Sequence, residues 1–154
     1  MEKEHDLFYK ILQRLNMAGV LSEIILIGRW CPVVYKEYFG NPVEISMQRT
    51  ADLDFIQSHS IKMSYKGISL SVPEPTAYVL HKFIISDRRK KSSKREKDIE
   101  TACQLGVYLL EHENQRHKMR EMFSHMPEKW KRELLRIVKD ASEKISAFLR
   151  SEKQ

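Results

Sequence analysis

Two prolines, Pro73 and Pro75, separate two parts of the chain that differ in hydrophobic periodicity. Proline lacks an amide hydrogen and fixes φ, so a Pro-x-Pro sequence interrupts regular structure. Before it, short apolar runs and alternating segments predict strands among helices, whereas after it apolar residues recur at helical spacing. We therefore predict an α/β (α+β) fold with a core at 1–73 and a helical extension packed on it at 74–154.

The first part is predicted to form a small mixed sheet with flanking helices. Its elements are a helix over residues 4–18, a buried strand over 22–27, a helix over 30–39 and a strand over 50–56. Residues 61–72 follow as two alternating arms joined by Lys66-Gly67, the pattern of a hairpin with a two-residue turn.

The second part is predicted to be entirely helical. Its helices are expected over residues 76–86, about 93–110, about 114–124 and, as one long final helix, 128–149. The final helix has an apolar stripe that is typical of a core-facing surface. The same stripe leaves open a contact with a partner or a homodimer.

Composition and cysteine usage predict a cytoplasmic protein. The longest apolar run, Ile24–Ile27, is too short to span a bilayer, and the charged first residues lack the apolar core of a signal peptide. The two cysteines, Cys31 and Cys103, predict neither a disulfide framework nor a zinc site. The six histidines lack metal-ligand spacing, and we expect all of them at surfaces or interfaces.

Positive charge is concentrated between residues 88 and 97. This segment holds seven basic residues and one acidic residue, so its net charge of +6 equals that of the whole chain. Such a concentration suits contact with phosphates or nucleic acid. A solvated loop or helix end is the alternative interpretation.

Asp52 and Asp54 form a carboxylate pair on the predicted strand at 50–56. It is the only one of the chain's six acid-x-acid pairs that falls on a predicted strand. In a strand, alternate side chains share a face, with Cα atoms roughly 6–7 Å apart. Two such carboxylates suit Mg²⁺, which prefers oxygen ligands and can bridge nucleotide phosphates. An edge strand with a solvated acidic face is the alternative.

A wider set of short motifs resembles a known fold. The segments are Ile24–Trp30, Tyr38–Gly40 and Arg49–Phe55, followed by Val72–Pro75, His81–Phe83 and Lys94–Ile99. The first three resemble the nucleotidyltransferase fold of the DNA polymerase β superfamily, in which a strand ends in a Gly turn that opens a helix and the next strand carries paired aspartates. The last three are similar to the helical segment of a poorly characterised prokaryotic branch of these proteins.

The resemblance implies an activity and a set of site residues. Asp52 and Asp54 would be the catalytic metal ligands for one or two Mg²⁺ ions, and the turn at Gly28 and Arg29 would approach the NTP. Further phosphate contacts are implied for Arg49, Lys82, Arg88, Lys94 and Lys97. The implied reaction is Mg²⁺-dependent transfer of a nucleotidyl group to a hydroxyl of RNA, of a protein or of a small molecule.

Two other functions stay open from the residues. Active members of the family place a third carboxylate on a later strand, but the predicted hairpin at 61–72 contains no acidic residue. A catalytically inactive module of the same fold that binds nucleic acid or a protein partner is therefore one alternative. A helical interaction protein is the other.

Overall fold

The computed structural model describes residues 2–27, 30–40 and 58–151. Within these residues the chain forms seven α-helices and one two-stranded antiparallel sheet, which confirms the predicted α+β class. The helices are α1 (Glu2–Met17), α2 (Cys31–Tyr38), α3 (Pro75–Asp87), α4 (Ser92–Leu109), α5 (Glu113–His125), α6 (Glu128–Ala141) and α7 (Glu143–Arg150), and the strands are β1 (Ser60–Tyr65) and β2 (Ile68–Pro73).

The predicted hairpin is confirmed, with Tyr65 paired to Ile68 next to the turn. Lys66 and Gly67 both have positive φ, 47° and 77°. This left-handed pair matches the twist of the two strands and closes the hairpin in two residues. The face of the hairpin that packs on the core holds Met63, Tyr65, Ile68, Leu70 and Val72.

The strand predicted over residues 22–27 is wrong in extent. Ser22 ends a short 3-10 helix that begins at Val20, after the left-handed residue Gly19. Beyond it, Ile25 forms an isolated parallel bridge with Ser71 of β2, and the Leu26 amide donates to the Ser71 carbonyl at 2.7 Å. Because the 3-10 helix occupies the chain as far as Ser22, the described part of the predicted strand forms only the bridge at Ile25. The strand predicted over 50–56 lies outside the described residues.

Helix α3 lies at the centre of the helical part. All of its residues from Pro75 to Ser86 are buried. A helix that is buried on every side has no face for solvent and must be enclosed by its neighbours. It packs along α4 and also against α5 and α6. His81 lies on α3 and is buried, so the prediction that every histidine lies at a surface or interface is wrong for this residue.

The predicted final helix is broken into α6 and α7 at Ser142. Ser142 is extended, at φ −155° and ψ 110°, and its hydroxyl accepts from the Ile145 amide at 3.4 Å, which caps α7. The break directs Ile145 towards α4, where a Cβ on Gly106 would lie 2.8 Å from Ile145 Cδ1. The sequence predicts a single helix because the apolar stripe continues across the break.

One hydrophobic cluster joins both predicted parts of the chain. It contains side chains from α1, α2 and the hairpin together with those of the helices after Pro73, among them Leu12, Val34, Val72, Leu80 and Leu134. The division at residues 73 and 74 stays a prediction. None of the described helices is both long enough and apolar enough to cross a bilayer.

Glu74, between the two prolines, caps α3. Its Oε2 accepts from the Thr76 and Ala77 amides at 2.7 and 3.2 Å, and its Oε1 lies 3.4 Å from the Lys118 ammonium. The carboxylate is buried, whereas the lysine is partly exposed. Two of the helix's otherwise unsatisfied amides are therefore bound by one side chain.

Glu74→Ala is expected to lower the free energy of unfolding by about 1–2 kcal/mol, because it removes this cap. Urea unfolding followed by circular dichroism measures the change. Lys118→Ala is the control, since it removes only the partly exposed partner and is expected to change the value by less than about 1 kcal/mol. Equal effects of the two substitutions would contradict the capping role.

Candidate functional site

The predicted site residues divide into two groups in the structure. Gly28, Arg29, Arg49, Asp52 and Asp54 lie outside the described residues. The structure does describe the residues on both sides of positions 28 and 29, together with the four predicted phosphate contacts Lys82, Arg88, Lys94 and Lys97.

A hydrogen bond joins the described residues on the two sides of positions 28 and 29. Cys31, the first residue of α2, is fully buried and its thiol donates to the Leu26 carbonyl at 3.2 Å. Pro32 follows in the first turn of the helix, where its missing amide hydrogen is tolerated. Burial raises the pKa of the Cys31 thiol to about 12, so this cysteine is neutral at physiological pH and serves as a packing and hydrogen-bonding group.

Two tyrosines connect α2 to the hairpin and to α3. The Tyr35 hydroxyl donates to the Pro73 carbonyl at 2.7 Å. The Tyr78 ring meets the Tyr35 ring edge-on, with centroids 5.6 Å apart. Among the described residues the buried Tyr78 hydroxyl has no hydrogen-bond partner. Burial raises the pKa of both phenols well above the ordinary value, so both hydroxyls stay protonated.

Lys82 lies one turn beyond Tyr78 on α3 and is fully buried. Its ammonium contacts Asp98 Oδ1 of α4 at 2.5 Å, and Asp98 Oδ2 accepts from Arg89 Nε at 2.9 Å. Burial lowers the pKa of Lys82, and the hydrogen bond to Asp98 opposes part of this shift. Contact between Lys82 and a nucleotide phosphate would require this ion pair to break.

Arg88 and Lys94 lie at the surface near the junction of α3 and α4. Arg88 caps the end of α3, and its guanidinium carbon lies 6.0 Å from the centre of the Trp130 ring. Lys94 is exposed in the first turn of α4. Lys97 is exposed one turn further along α4. The structure therefore brings these three predicted phosphate contacts to one region.

Asp98 is the site residue that the sequence interpretation missed. It stands in a helix that has three basic residues among its first six, and nothing in that pattern separates it from its exposed neighbours. Its partner Lys82 is 16 residues away on another helix. The only local signal was the resemblance of the segment Lys94–Ile99 to a known motif. Among the described residues, no group of three His, Cys, Asp or Glu side chains could hold a metal ion.

Comparison with known proteins supports the family resemblance. Residues 60–126 match the model of a family described as nucleotidyltransferase. The matched segment runs from β1 to the end of α5 and includes Lys82, Arg88 and Lys94. It confirms the predicted resemblance to nucleotidyltransferases, and the prokaryotic branch stays a prediction. Neither the curated proteins nor the solved structures contain a match to the chain.

Asp98→Asn is expected to lower the free energy of unfolding by about 3–5 kcal/mol, because it leaves the buried Lys82 ammonium without a counterion. Urea unfolding measures the change. Asp87→Asn is the matched control, since Asp87, like Asp98, pairs with two basic side chains, here Arg95 and Arg136, but at the surface. We expect it to change the value by less than about 1 kcal/mol. Similar values for both variants would refute the importance of the buried pair.

Tyr78→Phe is expected to leave stability unchanged or raise it by up to about 1 kcal/mol, because a buried hydroxyl without a partner among the described residues is removed. Tyr35→Phe is the comparison, and it should lower stability by about 1–2 kcal/mol because it removes the bond to Pro73. Thermal unfolding of the two variants tests the difference. A larger decrease for Tyr78→Phe than for Tyr35→Phe would be the opposite result.

Proposed function

From the relation of residues 60–126 to the nucleotidyltransferases, we propose that this protein transfers a nucleotidyl group from an NTP to an acceptor hydroxyl. The family match is the observation that carries the proposal. The acceptor is a hydroxyl of RNA, of a protein or of a small molecule.

The structure on either side of residues 28–29 supports this proposal. Ile25 is paired with β2, and α2 begins at Cys31, so the described residues place a segment aligned with the sheet before positions 28 and 29 and a helix just after them. The hydrogen bond from Cys31 to the Leu26 carbonyl joins the described residues on the two sides of positions 28 and 29. Amides at a helix N-terminus point outward and favour anions. This arrangement suits a turn that approaches a triphosphate through Gly28 and Arg29.

The proposed chemistry is assigned to carboxylates and basic side chains. Asp52 and Asp54 would hold Mg²⁺, and a donor set of two carboxylates fits the preference of this ion for oxygen ligands. When bound, the ion neutralises charge on the phosphates. Arg49, Arg88 and Lys94 would orient the phosphates by charge-assisted hydrogen bonds. We propose that Lys82 acts only indirectly, by holding Asp98 and through it Arg89.

Asp52→Asn and Asp54→Asn are each expected to reduce nucleotidyl transfer by about 100-fold or more, because a metal ligand supports several kcal/mol of charge stabilisation. The measurement is transfer of labelled nucleotide, with Mg²⁺ or with a chelator, to RNA, protein and small-molecule acceptors. Circular dichroism establishes that each variant is folded.

The matched control is Glu111→Gln combined with Glu113→Gln. These acids have the same i, i+2 spacing, but Glu113 opens α5 and Glu111 lies just before it, and both are exposed. We expect this double variant to keep full transfer. Transfer that survives both aspartate substitutions would exclude the proposed site.

A further inference from the structure

The seven basic residues between 88 and 97 divide into two chemically different sets. The three arginines make contacts within the protein: Arg89 binds Asp98 at 2.9 Å, Arg95 lies 3.7 Å from Asp87, and Arg88 lies over the Trp130 ring. The four lysines are Lys90, Lys91, Lys94 and Lys97. All four are exposed, and their side chains form no ion pair with any described residue.

The position of these lysines is unfavourable for the helix that carries three of them at its start. Lys91 is the N-cap of α4 and supplies no side-chain cap, and the first turn of α4 contains no acidic residue. The positive end of the helix dipole repels cations in the first turn, where Lys91 and Lys94 lie, by about 0.3–1 kcal/mol each at low salt. By contrast, α5, α6 and α7 begin with glutamates. The start of α4 therefore departs from the usual preference for capping and acidic residues, and no contact among the described residues compensates for it. Such a departure is expected at a functional position.

The lysines are displayed on a fixed turn. The Arg89 and Lys94 amides donate to the Ser86 and Lys91 carbonyls at 3.2 and 3.1 Å. On the side that faces the protein interior, the Arg89 side chain forms an ion pair with the buried Asp98 carboxylate. A preformed surface gives up less conformational freedom on binding than a mobile tail.

The spacing of the lysines suits a chain of phosphates. Between residues 91 and 97 a helix rises by about 9 Å. This is roughly the length of three nucleotides of a B-form strand. Four ammonium groups on such a length can contact several consecutive phosphates.

The surroundings of the patch favour a polynucleotide over a membrane surface. Peripheral membrane segments combine basic residues with apolar side chains that insert into the lipid. The exposed large apolar side chains of the described residues all lie in the first 40 positions, namely Leu7, Ile11, Met17, Val20, Ile24 and Tyr38. None of them belongs to the segment from 87 to 97.

We propose that Lys90, Lys91, Lys94 and Lys97, the lysine face, form a contact surface for the phosphate backbone of a polynucleotide. This inference goes beyond the proposed nucleotidyl transfer and does not depend on it, because binding through the lysine face needs neither NTP nor Mg²⁺. The lysines would contact phosphates rather than bases, so binding is expected to depend strongly on salt and weakly on base sequence.

The test is fluorescence anisotropy with labelled single-stranded RNA, single-stranded DNA and duplex DNA, in chelator and without NTP. If three phosphates of a single strand are neutralised, affinity is expected to fall about 20-fold between 50 and 200 mM salt. Replacing all four lysines of the lysine face by glutamine should weaken binding at least 10-fold at low salt. The slope of log affinity against log salt should decrease in magnitude by about 0.7 for each phosphate that the variant no longer neutralises.

A second quadruple variant controls for total charge. Lys10, Lys62, Lys139 and Lys144 are also exposed, and their replacement by glutamine changes the net charge equally. This control should bind within about twofold of the wild type. The Asp52→Asn variant should also bind normally, so that failure of transfer and failure of binding are distinguishable.

Three results would overturn the proposal. They are no binding of the wild type to any of the three polynucleotides at 50 mM salt, equal weakening by the two quadruple variants, and, in a parallel sedimentation assay with vesicles that contain anionic lipid, binding to the vesicles alone. Unequal affinity for RNA and DNA, with both dependent on the lysine face, would support it and identify the preferred polynucleotide.

Discussion

The buried ion pair between Lys82 and Asp98 is the constraint on which the arrangement of the helices depends. Helix α3 is enclosed on all sides, so its Lys82 ammonium lies in the protein interior. The ammonium requires a partner there, because an uncompensated buried charge is strongly unfavourable. Asp98 provides that partner and so joins α4 to α3 through an ion pair inside the protein. Its second oxygen binds Arg89, which connects the interior of the protein to the basic turn at its surface.

Elements with local signals were predictable from the sequence, and elements decided by distant contacts were not. The hairpin follows from alternation and from Lys66-Gly67, which adopt the left-handed conformation that a two-residue turn requires. The interruption at Ser142 is invisible in the apolar stripe, because the residues on both sides of it face the core. The bridge at Ile25 depends on Ser71, almost fifty positions later.

The candidate site was predictable in its composition but not in its geometry. The sequence marks residues 88–97 as strongly basic, yet only the structure separates Arg89, which faces Asp98, from the neighbouring Lys90 at the surface. Lys82 was grouped with the phosphate contacts on the family resemblance, and its burial could not be predicted because the sequence around a lysine carries no sign of it. The aspartates at 52 and 54 lie outside the described residues, so their role still depends on strand periodicity and family resemblance.

The complete burial of Cys31 makes opening of the first turn of α2 measurable with thiol reagents. Thiol reagents attack the thiolate, and at position 31 both the raised pKa and the complete burial oppose that attack. Alkylation there must wait for α2 to separate from the carbonyl of Leu26, so its rate measures how often this end of the helix opens. Cys103 is less buried and lies elsewhere, on α4, which gives an internal reference in the same molecule.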